Sequence, residues 1–118
     1  MTPLERYGFV AVGGAAGAML RYGAAVAFGA KASTTFWVNI TGAFLIGLMA
    51  ASASDLRWRL LLGAGFLGGY TTFSTWQLEA LLSVRAGDWR GAMVNLFGSV
   101  VAGFIAVVAG YAAGARLR

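Results

Sequence analysis

Two long uncharged runs decide the class of this chain. Lys31 to Asp55 encloses 23 residues without a charge, and Arg90 to Arg116 encloses 25. A helix needs about 20 mostly apolar residues to cross the roughly 30 Å hydrocarbon core of a bilayer. A third stretch, 60–84, carries only Glu79, and the first, 7–28, carries only Arg21. Charged residues are 11% of the 118, against roughly 25% in soluble domains. In water so small a chain has too little interior to hide that much apolar surface. The expected fold is an all-α membrane protein, one domain over residues 1–118 with four transmembrane helices. Connections are expected at 29–33, 54–59 and 85–91, with Trp58 and Trp89 at the membrane surface.

The same composition excludes several functions. Cysteine and histidine are absent, so disulfides, thiolate chemistry and imidazole catalysis have no residues to work with. Of the four acids, Glu5, Asp55 and Asp88 fall in expected loops or near the start, leaving Glu79 as the one carboxylate inside a span. The chain is not expected to be an enzyme. The net charge of +5 comes from basic residues scattered at helix ends, which suits lipid headgroups and topology rather than nucleic acid. The Gly-rich apolar N-terminus is expected to remain as a span, not to be cleaved as a signal peptide.

Four crossings put both termini on one side, with Arg6, Arg57, Arg59, Arg116 and Arg118. Lys31, Arg85 and Arg90 lie opposite, with Arg21 if it sits at that end. Five against four gives almost no orientation bias, as an antiparallel dimer with both insertions would need; a short protein with a weak signal would show the same count. Small-xxx-small pairs at Gly13/Gly17, Gly65/Gly69 and Gly110/Gly114 allow close helix packing, within one bundle or between subunits.

The stretch 63–79, GAGFLGGYTTFSTWQLE, carries the chemistry. Its GxGxxG at Gly63, Gly65 and Gly68 lacks the βαβ context of a dinucleotide site. Instead, Gly68-Gly69 followed by Tyr70-Thr71-Thr72 is a poor helical sequence at the centre of a span. An unwound turn there frees backbone groups that lipid cannot satisfy, and transporters use such carbonyls to hold cations. Phe73 and Trp76 follow at i, i+3 with Ser74 and Thr75 between them. Asn39 in the second span offers two N–H donors, and Asn95 and Ser99 form a polar stripe on the fourth. A lining rich in neutral donors and poor in carboxylates suits a small anion, which Arg21 would draw in.

At these residues the chain resembles the Fluc/CrcB family of microbial fluoride channels. The matching pieces are GGAAGAMLRY (13–22), TFWVNITGAFLIG (35–47) and GFLGGYTTFSTWQLE (65–79), in the same order and spacing. The resemblance implies a dual-topology homodimer in a prokaryotic inner membrane, with two fluoride pores between subunits; some members pair two homologous subunits instead. It implies a structural sodium ion on backbone carbonyls, here Gly68 and Thr71. Asn39 and Phe73 match pore residues. Ser74, Thr75, Glu79 and Ser99 fall on the polar track, and Arg21 matches the vestibule arginine. Trp76 stands where a second phenylalanine is usual, and Asn95 where tyrosine is expected. Because Trp76→Phe restores the residue usual in the family, the resemblance implies that it is tolerated or even speeds flux. The rival readings are a small proton-coupled multidrug exporter, which needs a membrane carboxylate and finds only Glu79, and a purely structural membrane subunit.

Overall fold

Acidic residues start three of the helices in the computed structural model, which describes residues 1–52 and 55–117. Helix α1 (Pro3–Phe28) opens on a capping box in which Thr2 and Glu5 satisfy each other's backbone N–H, with Pro3 in the first turn. The Asp55 carboxylate accepts from Trp58 N–H at the start of α3 (Leu56–Trp58), and Asp88 accepts from Gly91 N–H ahead of α6 (Trp89–Ala115). These acids lie between spans or near the start, as expected, and there they serve helix starts. Helix α1 ends at Gly29, whose φ of 101° favours a residue without a side chain. Helix α2 (Ala32–Ala51) follows at once. Ser54, expected in the next connection, and Arg118 lie outside the described residues.

Among the described residues, three helices are long and apolar enough to cross a membrane: α1, α2 and α6, with mean hydropathies of 1.4, 1.5 and 2.2. The chain between α2 and α6 is different. It runs through α3, a nine-residue π-helical stretch Arg59–Leu67 and the short α4 (Gly68–Tyr70), leaves helical geometry at Thr71, and resumes as α5 (Ser74–Arg85). The interruption falls around residue 72, where the sequence placed it. Its limits differ, because Gly68 and Gly69 stay helical and the backbone first turns extended at Thr71, with ψ at 152°. Gly69 is packed tightly on α1: a Cβ there would stand 3.1 Å from Gly14 Cα and closer still to its carbonyl oxygen. The π-helical widening was not foreseen from the sequence.

Several other glycines act in the same way. A side chain at Gly13 would fall on the Leu61 carbonyl, and one at Gly17 on the Phe66 carbonyl, so α1 lies directly against the π-helical stretch. Gly110 and Gly114 of α6 meet the carbonyls of Phe44 and Leu48 on α2, and Gly47 answers with Val107. The small-residue faces of the sequence are thus used inside one chain, α1 on residues 56–70 and α2 on α6. Without a hydrophobic force between helices in lipid, such backbone approach supplies the dispersion contacts that hold a bundle together. Only 6% of the most apolar window of α6 is buried within the chain. Its remaining surface must meet lipid or another protein surface.

Candidate functional site

The break is held open by two side chains from other helices. Asn39, on α2, donates from Nδ2 to the Thr72 carbonyl (3.0 Å) and accepts on Oδ1 from the Thr72 N–H (2.9 Å). Its carboxamide thereby replaces both helical partners of one residue. Arg21, on α1, donates from Nε to the Gly69 carbonyl at 3.1 Å. The Thr72 hydroxyl accepts from Thr75 N–H and caps α5, while the Thr71 hydroxyl donates back to the Leu67 carbonyl.

Two of these bonds divert the regular helical donors of Gly68 and Thr71. In an unbroken helix the Gly68 carbonyl would accept from Thr72 N–H and the Thr71 carbonyl from Thr75 N–H. The first of those donors is bound to Asn39 and the second to the Thr72 hydroxyl. Gly69 and Thr72 have lost helical partners too, but Arg21 and Asn39 replace them. Gly68 and Thr71 are the residues that the family resemblance matches to cation ligands.

Beside the break, a groove of about 520 Å³ runs along α2 and α6 and includes Asn39, Thr71, Thr72, Phe73, Trp76 and Ser99. Phe73 is 71% exposed, and its ring stands nearly perpendicular to that of Trp76 (73°), with centroids 5.5 Å apart. The Trp76 indole Nε1 donates to the Asn95 backbone carbonyl at 3.3 Å. Asn95 in turn accepts on Oδ1 from the Ser99 hydroxyl at 3.2 Å, so the polar stripe of α6 is internally bonded. Ser74 and Thr75 are exposed in the single chain.

A second cavity, of about 260 Å³, lies on the other side of the break and includes Arg21, Thr34, Thr35, Thr72, Thr75 and Glu79. Glu79 Oε1 and Thr34 Oγ1 are buried there without a hydrogen-bond partner among the described residues. A polar cavity of this size has room for several waters, which would satisfy both.

The structure therefore gathers Asn39, Phe73, Trp76 and Ser99 on one groove, with Asn95 tied to it through two hydrogen bonds. Arg21 and Glu79 face a separate cavity, joined to the groove only at Thr72. Two expectations change in detail. Asn39 has one free N–H rather than two, and Arg21 reaches the break itself rather than standing only near a helix end. Thr72 and Thr34 drew no attention in the sequence. The one signal for Thr72 was its place in the helix-breaking run, and for Thr34 there was none.

Comparison with known proteins gives this arrangement its relatives. The family described as CrcB-like protein, Camphor Resistance (CrcB), matches residues 8–111. A protein of Listeria monocytogenes serotype 4b named fluoride-specific ion channel FluC 1 is 42% identical over 112 residues, 91% of this chain and 95% of that relative. Proteins named fluoride-specific ion channel FluC from Acidobacterium capsulatum and Thermus thermophilus are 38% and 39% identical. The aligned regions take in 95% and 97% of this chain and 98% of each relative. With matches of this extent to a broken-helix chain whose break is clamped by Asn39 and Arg21, the protein belongs to the CrcB family.

Proposed function

We propose that this chain forms a fluoride-selective passive channel that lets fluoride leave the cytoplasm and so lowers its toxicity. The observation that carries the reading is the groove in which Asn39, Phe73, Trp76 and Ser99 come together beside a clamped helix break. Nearly full-length relatives named as fluoride-specific channels support it.

Residues 56–85 make the fourth crossing in this reading. The limbs on either side of the break, 15 and 12 residues long, add to about 40 Å at helical rise, enough for a roughly 30 Å core. The break then lies near the bilayer midplane. Two copies assemble antiparallel in a prokaryotic inner membrane, each covering the other's groove and forming two pores. The open groove, the exposure of Phe73 and the nearly unburied α6 support a partner at this face. A paired homologous subunit would serve the same geometry.

The residues suit fluoride. Leaving water requires dense replacement donors: the second N–H of Asn39, the hydroxyls of Ser74 and Thr75, and the amide N–H groups of Asn95, whose oxygen accepts a hydrogen bond from the Ser99 hydroxyl. A phenyl ring has a partly positive rim, so Phe73 presented edge-on favours an anion. Arg21 and Glu79 line the neighbouring cavity as a vestibule with compensating charges. A negative interior potential drives the anion outward by about 2.3 kcal/mol per 100 mV.

The Gly68 and Thr71 carbonyls fit a structural sodium ion, since their helical donors are diverted elsewhere. When bound between two subunits, that ion would supply positive charge at the dimer centre. The exporter reading rests on Glu79 alone and gains nothing from the relatives' names. Fluoride efflux from proteoliposomes, followed with an ion-selective electrode, tests the reading: rapid, uncoupled efflux supports it, and none above protein-free vesicles refutes it.

A further inference from the structure

Phe73 has little of its own chain to hold it. It sits at the end of the non-helical turn, its side chain is 71% exposed, and among the described residues its ring contact is with Trp76. Trp76 is half-buried and fixed at its far end, because the indole N–H is bonded to the Asn95 carbonyl on α6. That carbonyl belongs to a continuous 27-residue helix and is a rigid anchor. The indole has one N–H and no acceptor, so once it is bonded to Asn95 it has no donor left for an anion.

Ring orientation decides the sign of the interaction at Phe73. The rim of a phenyl ring attracts an anion and its face repels one. A freely turning ring would average the two. We infer that Trp76 is a positioning residue: tethered by its indole N–H to the Asn95 carbonyl, it fixes the plane of the Phe73 ring and thereby the anion selectivity of the groove. This rests on the channel reading, and it deepens it by giving the indole a task that a phenyl ring at the same position cannot perform. It also reverses the expectation, drawn from the family resemblance, that Trp76→Phe is tolerated.

Proteoliposome flux of fluoride and of chloride provides the test. Trp76→Phe removes the tether and keeps an aromatic ring; it should lower fluoride flux about tenfold, the scale of one lost hydrogen bond, and narrow the fluoride-to-chloride ratio. Benzothienylalanine at position 76 replaces the N–H by sulfur at nearly constant size and should do the same. Azatryptophan, which keeps the N–H, should restore wild-type selectivity. Because Trp76 acts through Phe73, adding Trp76→Phe to Phe73→Ile should cost nothing further. Wild-type fluoride flux and selectivity in both Trp76→Phe and the benzothienylalanine protein would overturn the inference and leave the channel standing. Additive losses in the double variant would also overturn it. A wild-type protein that moves no fluoride would overturn both.

Discussion

Asn39 and Thr72 exchange two hydrogen bonds across 33 positions of sequence, so one carboxamide on α2 stands in for the helical neighbours of one residue in the break. Asn39→Asp keeps the acceptor for the Thr72 N–H but sets a carboxylate oxygen against the Thr72 carbonyl. Unmade bonds at a part-buried site cost about 1–3 kcal/mol each. The variant should unfold several degrees lower in detergent and carry fluoride at least about a hundredfold more slowly, since it also places negative charge beside the anion. Normal flux from this variant would remove Asn39 from the pore.

Phe73→Ile tests the ring and not the fold. The side chain is largely exposed in the single chain, so the protomer should keep its thermal stability. The aliphatic side chain matches the ring's hydrophobicity and has no positive rim. Fluoride efflux should fall by about two orders of magnitude or vanish, while size-exclusion chromatography still reports the wild-type assembly. An isoleucine variant that conducts normally would show that Phe73 only faces lipid.

Orientation follows from the five-to-four distribution of basic residues. C-terminal reporters on the wild-type chain should give both topologies in one membrane. Two or three lysines added on one side should trap a single orientation, and flux should then require a second variant trapped the other way. Reporters that find one orientation in the wild type would rule out the antiparallel homodimer and call for an oppositely inserted partner.

The cation prediction concerns Gly68 and Thr71, whose carbonyls have lost their helical donors. Exchange of sodium for a large organic cation should weaken the assembly and lower its melting temperature. Sodium should restore both with a saturable dependence, as any ligand of the folded state does. No dependence on the identity of the monovalent cation would set the sodium site aside.

Much of this molecule could be read from the chain because the relevant forces are local along it. Uncharged runs of 23 and 25 residues must leave water, and the charges that interrupt them mark where helices end. Glu5, Asp55 and Asp88 fall between spans or near the start, as expected, and the structure adds that they cap helices. The glycine pair with two threonines located the break to within a residue or two, since propensity acts over one turn of helix.

Contacts between distant segments depend on how close two backbones come, and no single stretch of sequence contains that distance. The Gly13 and Gly17 faces suited a subunit interface as well as an internal one; only their seating on the Leu61 and Phe66 carbonyls decided for the latter. Gly69 is likewise seated on Gly14, and the backbone first turns extended at Thr71. Arg21 read as a charge near a helix end, and the fold made it a cap on Gly69. Trp76 and Asn95 read as two separate departures from a pattern. They are one hydrogen bond, formed because α5 and α6 pack side by side, and tertiary packing alone brings an indole to a carbonyl 19 residues away.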